Sequence, residues 1–295
     1  MGGTSSERAV SLQSGANIAE ALTSLGKYEV IPVNLTSDSL SGMPDGIDAA
    51  YIALHGGWGE NGGVQAALNA RAIPYTGPGV AASRIAMDKI ETKKVLEQKG
   101  VPTAPWAIIP FDAAESPLPL PVVVKPPCDG SSVGISKVAS PEAWRPALAT
   151  ACAALKSPSD LLVEAFVPGR EMTVGLIDGE PLPVIEIVAP GGWYGYDEKY
   201  KSNETRYPFL EDAPLAAKLQ QLARAAWDAV GCRGVTRVDF RVTPDGACYV
   251  LELNTSPGFT AHSLVPKAGI RAGYTFAGVC ERILASACTD EMNHA

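Results

Sequence analysis

Two stretches near the C-terminal end of the chain combine residue types suited to metal and phosphate chemistry. Arg237-Val238-Asp239-Phe240-Arg241-Val242 alternates polar and apolar residues, and in Tyr249-Val250-Leu251-Glu252-Leu253-Asn254 an apolar run carries Glu252 and Asn254 two residues apart; both read as strands. Side chains alternate across a strand, so Arg237 and Asp239 share one face, and Glu252 and Asn254 point the same way. If the two strands pair, Asp239, Glu252 and Asn254 form a patch of oxygen ligands. Such a patch suits a hard cation, and Mg²⁺ favours carboxylates combined with substrate phosphates. Either strand alone is an ordinary amphipathic strand with a solvated polar face. The Asn254-Thr255-Ser256-Pro257-Gly258 turn that follows adds weight, because it sets backbone N–H groups beside the proposed metal.

A second group of residues reads as a nucleotide site. Lys125 closes the apolar run Val122-Val123-Val124 and leads into Gly130-Ser131-Ser132-Val133-Gly134. An ammonium neutralises phosphate, and glycines let N–H groups approach its oxygens. The loop has no Gly-Lys-Thr or Gly-Lys-Ser and is not a Walker A sequence. Alone it is a simple hairpin, as Lys89 alone is a surface lysine. Glu164 ends the apolar Leu161-Leu162-Val163 and precedes Ala165-Phe166-Val167. That order offers an acceptor for an exocyclic amine and backbone groups for an adenine edge, or a strand end reaching water. Glu171 is placed to accept from ribose hydroxyls if that site exists.

The surrounding pattern is mixed α and β. Ser5 or Ser6 is expected to cap a first helix with Ala9, Val10, Leu12, Ile18, Ala21 and Leu22 on its apolar face. Strands are expected over 28–33 and 51–54, the latter ending in the glycine-rich His55-Gly56-Gly57-Trp58-Gly59 loop before a helix over 64–70. No apolar strand precedes Gly2-Gly3. A helix over 83–99 runs through Met87-Asp88-Lys89, and another spans 141–155. Segments 171–177 and 182–188 suggest an antiparallel pair turned at Asp178-Gly179. The long polar and aromatic stretch 191–208 reads as a lid or binding loop. A helix over 215–230 precedes the two metal strands. A long turn follows them, then a last helix over 274–287.

The 295 residues predict two or three compact units with ample core, hydrophobic residues being 46% and charged residues 19%. A net charge of −8 argues against general nucleic-acid binding and against an anionic membrane surface. No run is apolar enough to span a bilayer, and the N-terminus lacks the pattern of a secretory signal. Six scattered cysteines, Cys128 among them, read as reduced thiols of a cytoplasmic protein, and three histidines are too few for a histidine-based zinc site.

Taken in order, Gly2-Gly3-Thr4-Ser5-Ser6-Glu7-Arg8, the His55-Gly56 loop, Lys125-Pro126, Gly130-Ser131-Ser132-Val133-Gly134, Glu198-Lys199-Tyr200, Glu252-Leu253-Asn254-Thr255-Ser256-Pro257-Gly258 and His262-Ser263-Leu264-Val265-Pro266 resemble the motifs of D-alanine–D-alanine ligases. The resemblance runs to about Ala287 and implies the ATP-grasp fold, of class α/β and α+β. It implies an N-terminal Rossmann-like domain over 1–77 lacking its first strand, a central α+β lid domain over 78–160, and a C-terminal catalytic domain with an antiparallel sheet over 161–295. Asn61, Trp58 and Phe259 depart from the residues commonest at those motif positions. The implied activity is ATP-dependent joining of two D-alanines through a D-alanyl phosphate, for peptidoglycan precursor synthesis. Related ligases that accept D-lactate or D-serine, and a non-catalytic ATP-binding homologue, are the alternatives.

The same resemblance implies roles for single residues. Lys89, Lys125, Ser132, Glu164, Phe166, Val167, Glu171 and Lys199 would hold ATP. Asp239, Glu252 and Asn254 would hold two Mg²⁺ or Mn²⁺. Arg237 and the Gly258 N–H would stabilise an oxyanion. Glu7 would pair with the ammonium of the first D-alanine, and Ser263 and Leu264 would take the carboxylate of the second. Ser131, Tyr200 and Glu7 would close the long loop, with Tyr200 favouring the dipeptide product. His55 would lie near the substrate or serve a structural role at its strand end. A cytoplasmic homodimer is implied.

Overall fold

The computed structural model of the chain describes residues 1–128, 130, 133–155, 159–192 and 204–292. Among the described residues it forms eight α-helices and nine strands. Helices α1 (Arg8–Ser24), α2 (Gly63–Asn69), α3 (Val80–Met87) and α4 (Lys89–Gln98) come first. Strands β1 (Trp106–Ile109), β2 (Val122–Lys125) and β3 (Ser136–Val138), helix α5 (Trp144–Ala154) and β4 (Leu161–Ala165) follow. They build a four-stranded antiparallel sheet in the order β1-β4-β2-β3, with α5 on one face. Its second strand, β4, lies beyond residue 160, and residues 82–101 pack instead on the core of the next sheet.

The second sheet holds β5 (Arg170–Ile177), β6 (Glu180–Pro181), β7 (Ile185–Ile187), β8 (Val235–Val242) and β9 (Cys248–Asn254). Its order is β6-β5-β8-β9, with β7 also on β5. The expected turn at Asp178-Gly179 has both residues at positive φ, 51° and 75°, the demand of a tight primed hairpin. Alternation gives the sheet two unlike faces. Met172, Val174, Leu176, Val238, Phe240 and Val250 point into a core shared with α6 (Ala213–Val230), α3 and α4. Helices α1, α7 (Leu264–Arg271) and α8 (Phe276–Ala285) bury a separate cluster with Ile177, Val235 and Phe259.

Several local expectations change. The helix expected over 83–99 is two helices. Asp88 leaves helical geometry, and its Oδ1 accepts from the Ile90 and Glu91 N–H groups at 2.9 and 3.2 Å. A short acidic side chain competes for the backbone and caps a new helix, which puts Lys89 in its first turn. Neither Ser5 nor Ser6 caps α1. Glu7 holds that position, while Ser5 Oγ accepts from the Glu7 N–H at 3.2 Å and donates to the His55 carbonyl at 2.5 Å.

Residues 28–33 and 51–54, expected as strands, form no ladder. Their neighbourhood is tied by isolated parallel bridges, Gly2 to Leu35 and Ala50 to Tyr75. Met1–Gly3 themselves lie along this chain, Leu35 N–H donating to Met1 O at 2.9 Å and Gly3 N–H to Leu35 O at 2.8 Å. The long turn after Gly258 contains α7, whose Pro266 sits in the first turn, where a missing N–H costs nothing. The last helix is shorter than expected, starting at Phe276 behind its cap Thr275.

Candidate active site

The polar face of the five-stranded sheet is a ladder of chemistry-bearing residues fixed by strand register. Glu171 lies opposite Arg241, Thr173 opposite Asp239, and Gly175 opposite Arg237. On the other side of β8, Asp239 lies opposite Glu252 and Arg237 opposite Asn254. A bulge between Asp239 and Phe240 shifts the pairing next to this row, a device common beside active sites. The three expected oxygen ligands are therefore gathered on adjacent strands. Their donor set, two carboxylates and an amide oxygen, fits a hard divalent cation.

Asp239 is held from two sides. Arg237 Nε and Nη2 donate to its two carboxylate oxygens at 2.9 and 2.8 Å, and Thr173 Oγ1 donates to Oδ1 at 2.6 Å. From α4, Lys89 Nζ approaches Glu252 Oε2 at 3.8 Å. Asn254 Oδ1 accepts from the Ser256 N–H at 3.1 Å, which begins the turn toward Gly258.

That turn is secured by a buried relay. His55 Nδ1 faces the Ser256 carbonyl at 2.9 Å, and Nε2 faces Ser14 Oγ at 3.2 Å. A carbonyl only accepts, so Nδ1 carries the proton and Nε2 accepts from the Ser14 hydroxyl. Ser14 Oγ in turn accepts from the Phe259 N–H at 3.0 Å, and Asn17 Nδ2 donates to Phe259 O at 2.9 Å. Burial draws the His55 imidazole below its usual range, against the pull of the nearby Glu7 carboxylate. His55 thus braces the turn from the end of segment 51–54. Gly258 lies against Ser263, where an added Cβ would stand 2.9 Å from Oγ. Ser263 Oγ accepts from the Thr260 N–H at 2.8 Å and begins α7. The Leu264 side chain is buried in the apolar cluster, so its polar contribution is the N–H of a helix first turn.

Glu7 stands at the entrance of α1. A Cβ on Gly56 would lie 2.8 Å from its Oε2, and one on Gly130 would lie 3.8 Å away, so both glycines approach this carboxylate. Glu60 is close by, its Oε1 4.0 Å from His55 Nδ1. Burial, and then the charge of Glu7, push the Glu60 carboxyl up to about 8.

The four-stranded sheet contributes a buried ionic triad. Glu164 pairs with Lys125 and, at 2.8 Å, with Lys93. Lys93 Nζ also donates to Thr103 Oγ1 at 2.7 Å, and Thr103 Oγ1 donates to Val250 O on β9 at 3.0 Å. Burial opposes the charge on Glu164, but Lys125 and Lys93 outweigh it and hold the carboxyl down at about 2. Burial draws Lys93 below the usual lysine range. Next to the triad, Phe166 carries Lys137 Nζ over its ring at 3.6 Å. Glu171 meets Arg241 Nη1 at 3.3 Å.

Lys93, Thr173, Arg241, Ser14 and Glu60 take part in the site without having been singled out by the sequence. A helical lysine, serine or asparagine gives no sign of being buried. For Thr173 and Arg241 the alternation along β5 and β8 was the available signal. Ser131, Ser132, Lys199 and Tyr200 lie outside the described residues, as do Asp129 and Glu198. Among the described residues no helix is long and apolar enough to cross a membrane, and the six cysteines form no disulfide.

Comparisons with known proteins agree with one another. Residues 95–285 match the family model described as "D-ala D-ala ligase C-terminus". The chain is similar to a D-alanine–D-alanine ligase of Syntrophotalea carbinolica, 44% identical over 97% of this chain and 94% of that protein. A D-alanine–D-alanine ligase of Bordetella avium is also 44% identical, over 97% of this chain and 92% of the relative. Among solved structures, the Bacillus anthracis D-alanine–D-alanine ligase superposes with a TM-score of 0.86 at 34% identity, covering 97% of this chain and 95% of that one. The same enzyme complexed with ATP gives 0.84 at 32% identity, over 97% and 94% of the two chains.

Proposed function

The chain belongs to the D-alanine–D-alanine ligase family, has its ATP-grasp fold and joins two D-alanines at the expense of ATP for peptidoglycan synthesis, and we propose that the reaction runs over the Arg237–Asp239–Glu252–Asn254 ladder. The observation that carries this reading is the register, which sets Asp239 opposite Glu252 and Arg237 opposite Asn254.

In this reading Lys89 and Lys125 meet the phosphates of ATP, Phe166 and Val167 flank the adenine edge, Glu164 accepts from its amine, and Glu171 accepts from the ribose. Asp239, Glu252 and Asn254 would hold two Mg²⁺ or Mn²⁺, which when bound offset charge on transferring phosphate oxygens. Glu7 pairs with the ammonium of the first D-alanine. That substrate's carboxylate takes the γ-phosphoryl group and becomes an acyl phosphate. The amine of the second D-alanine, oriented through its carboxylate at Ser263 and the first turn of α7, attacks the acyl carbon. Arg237 and the Gly258 N–H then stabilise the tetrahedral oxyanion, and phosphate leaves. His55 keeps this N–H aimed by holding Ser256 O, a bracing role. Dipeptide formation, a cytoplasmic location and a homodimer complete the proposal.

The test is phosphate release with D-alanine, L-alanine or D-lactate as acceptor, each with and without Mg²⁺. Release should need D-alanine and Mg²⁺ together. Faster release with D-lactate at neutral pH would transfer the chain to the depsipeptide branch. ATP binding without ADP formation would leave a non-catalytic homologue.

A further inference from the structure

Strand β8 carries three charged residues on one face, Arg237, Asp239 and Arg241. The first two have roles in the reaction, and the third has none assigned. Arg241 is 9% exposed, and its whole guanidinium is spent on one short segment. Nε donates to Val167 O at 3.1 Å, Nη2 to Gly169 O at 2.9 Å, and Nη1 to Glu171 Oε2 at 3.3 Å. The guanidinium carbon also lies 5.7 Å from the centre of the Phe166 ring.

The segment needs such a clamp. Residues 166–169 link β4 to β5 and lie outside both ladders. Their backbone is pressed onto β8, since a Cβ on Gly169 would stand 2.1 Å from Val242 O. Two carbonyls turned inward there cost free energy unless a donor meets them. A rigid planar fork meets two carbonyls and a carboxylate together, which a single ammonium does not reproduce. Register places Glu171 directly opposite Arg241 on β5, so the same group fixes the backbone at Val167 and aims the carboxylate at Glu171.

We propose that Arg241 is the positioning residue that sets the sugar selectivity of the nucleotide site, by holding Glu171 and the Val167 carbonyl in one fixed relation. The inference rests on the reading above that Glu171 accepts from the ribose hydroxyls. A carboxylate held rigidly is left unpaired by a sugar lacking a hydroxyl, and discrimination follows from that penalty. A carboxylate free to turn to water pays much less, and discrimination fades.

The experiment compares ATP with 2′-deoxyATP in steady-state phosphate release for the full chain and its Arg241→Met, Arg241→Lys and Glu171→Gln variants. The unmodified chain should prefer ATP in kcat/KM by about tenfold or more. Arg241→Met should bring the two nucleotides within about threefold, raise the KM for ATP by about tenfold and leave the KM for D-alanine within about twofold. Arg241→Lys, which keeps the charge and guards against loss of folding, should also lose the preference.

Loss of preference in Glu171→Gln with retention in either Arg241 variant would overturn the role of Arg241 while leaving the ribose reading intact. Retention in Glu171→Gln, or no preference in the unmodified chain, would remove the ribose reading itself and the inference with it. A rise in the KM for D-alanine equal to that for ATP would mark Arg241 as a general structural support and also overturn the proposal.

Discussion

The nucleotide end and the amino-acid end of the site bury the same side-chain type in opposite electrostatic company. Glu164 lies between Lys93 and Lys125, and its carboxyl is held at about 2. Glu60 lies near Glu7 and Glu252, and its carboxyl is pushed up to about 8. Burial opposes charge in both, but the two lysines reverse its effect on Glu164 whereas the charge of Glu7 adds to it at Glu60. The difference matches the two substrates as the proposed reading places them. One end has lysines in excess, as a polyphosphate requires. The other has carboxylates in excess, as an incoming ammonium requires. Glu252 belongs to both ends, pairing with Lys89 and adding to the charge felt by Glu60.

Removing Glu252's charge is therefore the strongest way to break the contrast. Glu252→Gln should lower kcat by a factor on the order of 10³ through loss of a metal ligand. It should also lower the Glu60 pKa, because one repelling carboxylate is gone. Turnover measured across Mg²⁺ concentrations checks the first, and the carboxyl signal of Glu60 followed by NMR against pH checks the second. Near-normal turnover would remove the metal assignment.

Glu164→Gln attacks the nucleotide end alone. It leaves two lysines buried without a counter-charge, and about 3 kcal/mol of stability should be lost near neutral pH. Glu164 has a folded value below its unfolded one, so its contribution is complete above about 4.5 and is lost as pH falls toward about 2. Urea midpoints from pH 7 to pH 3 should converge for the parent and the variant. A constant gap across that range would contradict the triad's charge state.

At the amino-acid end the sign reverses. Glu60 keeps its proton in the folded chain where the unfolded chain has lost it, so stability falls as pH rises from about 4.5 to about 8. In Glu60→Gln that slope should shrink, making the variant relatively more stable at pH 8 than at pH 5. Melting curves at the two pH values decide it, and equal differences at both would show Glu60 ionised throughout.

Part of this contrast was legible in the sequence. The ladder face was, because Arg237 and Asp239, like Glu252 and Asn254, stand two residues apart on apolar strands and leave only register to be found. The helix break at Asp88 was obscured by an apolar pattern that continues on both sides of it. Pro266 and Gly269 made α7 look like a turn, although Pro266 occupies a first-turn position. Residues 28–33 have strand composition but find no ladder partner. The triad was half visible. Lys125 and Glu164 each follow an apolar run in the sequence, whereas Lys93 depends on which side of α4 faces inward.

Neighbouring lysines on α4 put that last point to the test with the smallest expected effect. Lys93 is buried against Glu164 and Thr103. Lys94, one residue on, forms an exposed pair with Glu91 at 2.7 Å on the same helix. Water screens that pair, and ordering two long side chains offsets the attraction. Lys94→Met should change stability by no more than about 0.5 kcal/mol, against about 3 kcal/mol for Lys93→Met. Added salt should shift the Lys94 variant's difference toward zero and leave that of the Lys93 variant largely intact. Chemical denaturation of the two variants at low and high ionic strength reads both quantities. Equal losses would mean that the helix turns a different face inward and that Glu164 has a single lysine partner.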